Sequence, residues 1–275
     1  MIGVNVYGLF GSLAADRDGT LKAVHDAGIE GVELFVVPIR TWKGIPQAVC
    51  TMGTYPDFIH AVHGYGMAVP SAHIFCAVGS VLFPKRWIIR CLRDLHNNYG
   101  VDSFVFSGMF SDARGAKRWA KYLKQIAAVV VPEGCKILYH NHSQEFTLLD
   151  ASGTTAMDVF LAEAGTQVLM QLDIGWAGIA GDEAAIAQKY ADRIQSLHLK
   201  DFTPGSRGKY QAGQMPKERF CAVGEGEIRT AELLKMRGSF PRFGGNIIID
   251  QDSSSNILAD VATGCRNVKK ILGCI

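Results

Sequence analysis

The chain has 275 residues, with 28 lysines and arginines against 26 aspartates and glutamates. A formal net charge of +2 gives no long-range field that would select nucleic acid or an anionic membrane. Hydrophobic residues at 48% and only nine prolines speak for a globular chain without a disordered tail, and the length suits one large α/β domain or two small ones.

The opening Met1-Ile2-Gly3-Val4-Asn5-Val6 lacks a basic n-region, so no secretory leader is expected. No apolar run approaches the roughly 18 residues of a membrane span. Ile2 to Tyr7 reads as the first strand, followed by a helix through Leu21 to Asp26 that stops at Gly28. Gly31 to Val37 is the second strand; an irregular stretch with Pro38, Pro46 and Gly53 leads to a helix near Tyr55 to Tyr65. Ala68 to Phe75 is the third strand, and Lys85 to Asn97 has helical apolar spacing at Ile88, Ile89, Leu92 and Leu95. Ser103 to Ser107 is the fourth strand, with an amphipathic helix from Arg114 to about Val130.

The second half keeps the rhythm. Lys136 to Asn141 is the fifth strand, and Thr155 to Ala164 a helix closed by Gly165. Val168 to Asp173 is the sixth, then a helix from Asp182 to Asp192 with Asp182 favouring its N-terminal dipole. Ile194 to Lys200 is the seventh, and a long loop from Asp201 to Glu227 precedes a helix at Thr230 to Met236. Asn246 to Gln251 is the eighth, and Ile257 to Leu272 closes the chain. Eight strand–helix units over residues 1–275 predict a single (β/α)8 TIM barrel. A doubly wound sheet would need a phosphate-binding glycine turn after the first strand, and Gly8-Leu9-Phe10-Gly11-Ser12 lacks that spacing.

Four apolar runs end on polar groups that bind metals: the fifth strand at His140, His142 and Glu145, the sixth at Asp173, the seventh at His198, the eighth at Asp250. The C-terminal strand ends of a parallel barrel converge on one face, so these residues would meet there. Their mixed oxygen and nitrogen donors suit one divalent ion, Mn²⁺, Mg²⁺, Co²⁺ or Zn²⁺, and the lack of thiolates argues against a closed structural zinc site. Seven cysteines, odd in number, scattered and without a Cys-x-x-Cys pair, predict reduced thiols in a cytoplasmic protein.

Five segments in this order resemble the sugar phosphate isomerase/epimerase family: Tyr139-His140-Asn141-His142-x-x-Glu145-Phe146, Leu172 to Ala177, Leu197-His198-Leu199-Lys200-Asp201, Val223-Gly224-Glu225-Gly226 and Ile248 to Asp252. The resemblance spans the chain and implies a xylose isomerase-like barrel. It also implies a divalent metal held by an acid or histidine of the fifth strand together with Asp173, His198 and Asp250, a position where that family more usually has Glu. If His140 supplies the fifth-strand ligand, His142 is the acid/base; if Glu145 does, both histidines handle substrate. Glu145 is preferred, because an anionic ligand better balances a divalent charge.

Other positions are placed to line the mouth. Glu33, His73 and Trp176 are candidates for substrate contact, and Lys200 and Glu225 for catalysis, Glu225 on a loop able to close over a sugar. His25, His60, His63 and His96 fall in helices and read as surface or structural residues.

A metal beside a histidine or carboxylate base suits proton removal next to a carbonyl. The expected function is therefore an isomerase or epimerase on a small sugar or polyol derivative. A lyase on a keto-sugar, inosose or dehydroshikimate-like substrate stands second. An abasic-site endonuclease would need more ligands and a basic groove, and a sugar-sensing module would not need the ligands. No nucleic-acid or membrane partner is expected, and a homo-oligomer is compatible with the sequence. Substrate choice is assigned to loops 38–53, 76–84 and 201–227.

Overall fold

A computed structural model describes residues 1–40, 50–78 and 81–275. Pro46 and parts of the first two of those loops lie outside the described residues. Eight parallel strands form the barrel: β1 Ile2–Asn5, β2 Gly31–Val37, β3 Ala72–Ile74, β4 Ser103–Phe106, β5 Lys136–His140, β6 Val168–Asp173, β7 Ile194–Leu199 and β8 Asn246–Ile249. Each pairs with the next, and β1 pairs with both β2 and β8, which closes the sheet; a two-residue strand, Cys50–Thr51, adds to the end of β2.

Ten helices surround the barrel among the described residues: α1 Phe10–Ala15, α2 Arg17–Asp26, α3 Tyr55–Gly64, α4 Lys85–Tyr99, α5 Ala113–Val130, α6 Ala156–Ala164, α7 Ile174–Ala180, α8 Glu183–Lys189, α9 Thr230–Met236 and α10 Ile257–Leu272. Their formation follows local chemistry. In α4 the buried Ile88, Cys91, Leu92 and Leu95 repeat at helical spacing, and Gly100 ends the helix in the left-handed conformation (φ 69°). Thr155 and Asp158 form a reciprocal capping box on α6, and the Asp182 carboxylate accepts from the amides of Ala184 and Ala185 at the start of α8. The apolar core fills the layer between strands and helices, with Leu34, Phe104, Ile137 and Ile249 fully buried.

The strands are shorter than the apolar runs: the first ends at Asn5, the third begins at Ala72, and the eighth stops at Ile249. The residues just beyond the ladder are those that turn over the barrel mouth. Two helices are additional to the sequence reading. α1 fills part of the first connection. α7 starts directly after β6, because the Asp173 side chain caps it by accepting from the Trp176 amide at 2.8 Å. Gly175 permits this close approach: a Cβ there would lie 2.7 Å from both Cβ and the carbonyl oxygen of Lys200. All seven cysteines are free; Cys274 is exposed and Cys221 half-buried. Among the described residues no helix is long and apolar enough to cross a membrane.

Candidate metal centre and its cavity

Inward-facing residues at the C-terminal ends of four strands meet at the barrel mouth. His140, Asp173, His198 and Asp250, all buried, each offer one donor atom, and these atoms lie within 4.8 Å of one another. Strand register brings them together: His198 pairs with Asp173 across β7 and β6, His140 pairs with Gln171 across β5 and β6, and the Asp250 amide extends the ladder to the Leu199 carbonyl at 2.9 Å.

A chain of buried hydrogen bonds decides which nitrogen each histidine presents. The carboxylate of Glu33 can only accept, so Gln171 donates its Nε2 to it at 2.7 Å. The remaining Oε1 of Gln171 must then accept from Nδ1 of His140 at 3.2 Å, which leaves Nε2 of His140 unprotonated and 3.8 Å from Oδ2 of Asp173. On the other side, Nε2 of His198 donates to Glu33 at 2.7 Å, leaving Nδ1 at 3.2 Å from Asp250. Asn5 and Ser71 complete the hold on Glu33, at 2.7 and 2.6 Å.

The electrostatics call for a cation. A proton or metal must separate Nδ1 of His198 from the Asp250 carboxylate. Burial disfavours the imidazolium, but Glu33 and Asp250 outweigh it and lift His198 to about 10. Burial also opposes ionisation of Glu33, and His198 overcomes it, holding Glu33 at about 2. His140 is pushed well below its ordinary value by burial and by the neighbouring histidines, so it is a neutral donor. Oδ2 of Asp173 is buried without a hydrogen-bond partner, and burial raises this carboxyl. An orphaned carboxylate oxygen and two oriented imidazoles aimed at one point fit a divalent ion. His140, Asp173, His198 and Asp250 would hold it.

Lys200 lies beside the cluster, its Nζ 2.8 Å from Asp250, 2.7 Å from Asp252 and 3.5 Å from Asp173, and 5.3 Å from the centre of the Trp176 ring. Burial works against its charge, yet these carboxylates keep it protonated. Asp250 and Asp252 share this ammonium; Asp250, nearer His198, keeps the charge, and burial pushes Asp252 up to about 7.

Glu145 does not join the four. The chain turns through a short 3-10 helix, Gln144–Phe146, and the fully buried carboxylate accepts instead from the Tyr139 hydroxyl at 2.7 Å and the His142 amide at 2.9 Å. Burial raises it to about 7. One of its oxygens lies 3.9 Å from Nδ1 of His142, whose ring centroid is 5.1 Å from that of His140. Burial and Lys200 depress His142 to about 3, leaving a neutral imidazole.

Above the cluster lies a cavity of about 530 Å³ that includes His73, His140, His142, Trp176, Lys200 and Asp250 in its lining. His73 contacts the Ser107 hydroxyl at 3.1 Å. Two candidates for this lining fall elsewhere. Glu33 lies beneath the cluster with every oxygen engaged. Glu225 is exposed, because the Asp201 carboxylate binds the amides of Gly224 and Gly226 on either side of it, at 2.9 and 3.0 Å. Sequence reasoning gave no role to Gln171, or to Tyr139, Asn141 and Asp252, which stand only as members of longer segments. Gln171 had a signal, a polar residue interrupting the apolar Leu169 to Leu172. Asn141 exchanges two hydrogen bonds with the backbone of Asp173, at 3.0 and 3.1 Å, a pairing without any local pattern.

The model of one protein family, described as a xylose isomerase-like TIM barrel, matches residues 21–236. A search of curated proteins gives no match. Among solved structures, a sugar phosphate isomerase/epimerase from Parabacteroides distasonis is 17% identical, with a TM-score of 0.76 over 98% of this chain and 95% of that one. A xylose isomerase-like TIM barrel protein from Mycobacterium smegmatis, in complex with magnesium, is 11% identical, with a TM-score of 0.72 over 99% and 96%. The probable 3-DHS dehydratase AsbF from Bacillus anthracis is 13% identical, with a TM-score of 0.70 over 98% of each chain. At these identities the likeness establishes the fold.

Proposed function

The chain belongs to the xylose isomerase-like TIM barrel family, and we propose that it is a divalent-metal-dependent isomerase or epimerase acting on a sugar or sugar derivative by removing a proton next to a carbonyl. The observation that carries this reading is the convergence of His140, Asp173, His198 and Asp250 at the barrel mouth, where His140 and Asp250 line the cavity above them. A divalent ion there supplies charge stabilisation for a carbonyl or hydroxyl oxygen as the neighbouring carbon loses its proton. The protein supplies the rest. His142, neutral and beside the cluster, takes the proton, and Glu145, held by Tyr139, faces the imidazolium that forms. Lys200 donates a hydrogen bond to a substrate oxygen. The names of the Parabacteroides and Mycobacterium proteins, an isomerase/epimerase and a magnesium complex, agree with this reading.

A lyase is the second reading. Lys200 and His142 both line the cavity, an acid and a base in an arrangement suited to losing water or an alcohol from a keto-sugar, and one structural neighbour is named a probable dehydratase. Turnover of a sugar and keto-sugar panel in D₂O by the metal-loaded protein separates these readings. An isomerase or epimerase returns an isomer carrying solvent deuterium at the reacting carbon, and a lyase yields an absorbing enone. Isomerisation with direct transfer of substrate deuterium and no solvent label would overturn the proton route.

A further inference from the structure

The cavity has two unlike halves. Its floor, from β5 to just beyond β8, carries the charged groups Lys200, Asp250 and Asp252. Its opposite wall, from the first four strand–helix units, carries no charge: Asn5, His73 and Ser107 are its polar members, and Tyr7, Phe35, Phe75, Val78, Met109 and Trp119 give it an aromatic and aliphatic strip. Tyr7 and Phe35 lie 5.6 Å apart by ring centroid, Phe35 and Phe75 6.0 Å, and the strip continues outward through Phe83 at 6.1 Å to Trp87 at a further 6.2 Å. Rim members are held open to solvent: Tyr7 is 48% exposed, Val78 50% and Met109 54%. Met109 also adopts a left-handed backbone (φ 46°), unusual for a residue with a side chain, and its amide faces Glu145. The apolar rim is therefore tied to the floor of the site.

The charge inventory points the same way. Among the described lining residues Lys200 is the one lysine or arginine, and three carboxylates already surround it. Asp173, Asp250 and Asp252 already oppose the Lys200 ammonium, so among the described lining residues no cation is left unpaired for a second anion. A phosphate dianion would meet the carboxylates of Asp250 and Asp252 in a lining that, among the described residues, offers no arginine fork, a costly placement.

The geometry points to a neutral sugar-like substrate that carries an apolar substituent: the polar ring sits over the metal cluster and the substituent lies along the strip from Tyr7 to Phe75. This rests on the sugar reading of the site and adds that the substrate is not phosphorylated. Calorimetric titration of the Mn²⁺-loaded protein with glucose, methyl β-D-glucopyranoside, phenyl β-D-glucopyranoside and glucose 6-phosphate tests it. The phenyl glycoside should bind about tenfold or more tighter than the methyl glycoside, the gain expected for covering one aromatic ring, and glucose 6-phosphate no tighter than glucose. Tyr7→Ala and, independently, Met109→Ala should erase most of the phenyl advantage while metal content stays unchanged. Tighter binding of the phosphate, or equal binding of the two glycosides, overturns the inference and leaves the sugar reading standing. Failure of all four to bind removes the sugar reading and this one with it. A dimer split by Tyr7→Ala, with both glycosides binding alike, assigns the rim to a second copy of the chain instead.

Discussion

At Gln171 one side-chain amide determines the tautomer of a histidine three strands from Glu33. Because Glu33 accepts from it, Gln171 must accept from His140, whose Nε2 lone pair is then turned to the same point as Nδ1 of His198. Replacing Glu33 by Gln or Gln171 by Leu should leave all four ligands in place yet weaken metal binding by about 10- to 100-fold, the usual effect of losing such outer support. Metal titration by competition against a chromophoric chelator measures this; unchanged affinity in both variants would remove the hydrogen-bond chain from the argument. The fifth-strand ligand is decided in the same way. His140→Ala should lose metal and Glu145→Ala keep it, whereas His142→Ala should keep metal and lose about 10²- to 10⁴-fold in rate. A Glu145→Ala protein without metal would reverse the assignment. That Asp173, His198 and Asp250 meet is legible from their places at the polar ends of apolar runs. That His140 rather than Glu145 stands with them is not, because it depends on the 3-10 turn that folds Glu145 back under Tyr139, which charge balance alone does not reveal.

Strand–helix alternation was readable because periodicity and terminators are local, as with Ile88, Leu92 and Leu95 ended by Gly100. The stretch from Asp201 to Glu227 was readable only as a loop, since its order comes from partners distant in sequence. Glu183, fully buried at the start of α8, binds both terminal nitrogens of Arg207 at 2.7 Å and accepts from the Arg229 amide at 2.9 Å. Glu227 accepts in turn from the amides of Gly205, Ser206 and Arg207. Burial opposes ionisation of Glu183, but Arg207 and Arg229 outweigh it and hold the carboxyl at about 2, below its ordinary 4.5. A depressed value means stability that is complete above the unfolded value and is lost as pH falls from about 4.5 through about 2. The shift corresponds to at most about 3 kcal/mol. Glu183→Gln should therefore lower stability by up to about that amount at neutral pH and flatten the acid limb of the denaturation profile. A variant whose midpoint falls with pH as steeply as the wild type would show that other carboxylates carry the acid loss.

Across the whole molecule, the hydrogen bonds that Gln171 and His198 donate to Glu33 cross the barrel interior and join residues 138 and 165 positions apart. No window of sequence contains both ends of such a contact, so the closed barrel could be read from its repeat while its internal wiring could not. The consequence is mechanical coupling: the ligands come from the second half of the barrel, but Glu33 and Asn5 tie them to the first two strands, which close it. An ion bound by the native site alone should thus stabilise the entire fold rather than one corner. At free metal near 100 times Kd the gain is about 2.7 kcal/mol, equivalent to about 5–10 °C in Tm for a domain of this size. Chelation should lower Tm by that amount in a single cooperative transition, and restoring the ion should recover it. His142→Ala should retain the full metal-dependent shift, and Asp173→Ala should show none, with a Tm that ignores chelator. A Tm indifferent to chelator in protein whose metal has demonstrably been removed would mean that the four ligands bind at the rim without support from the barrel beneath them.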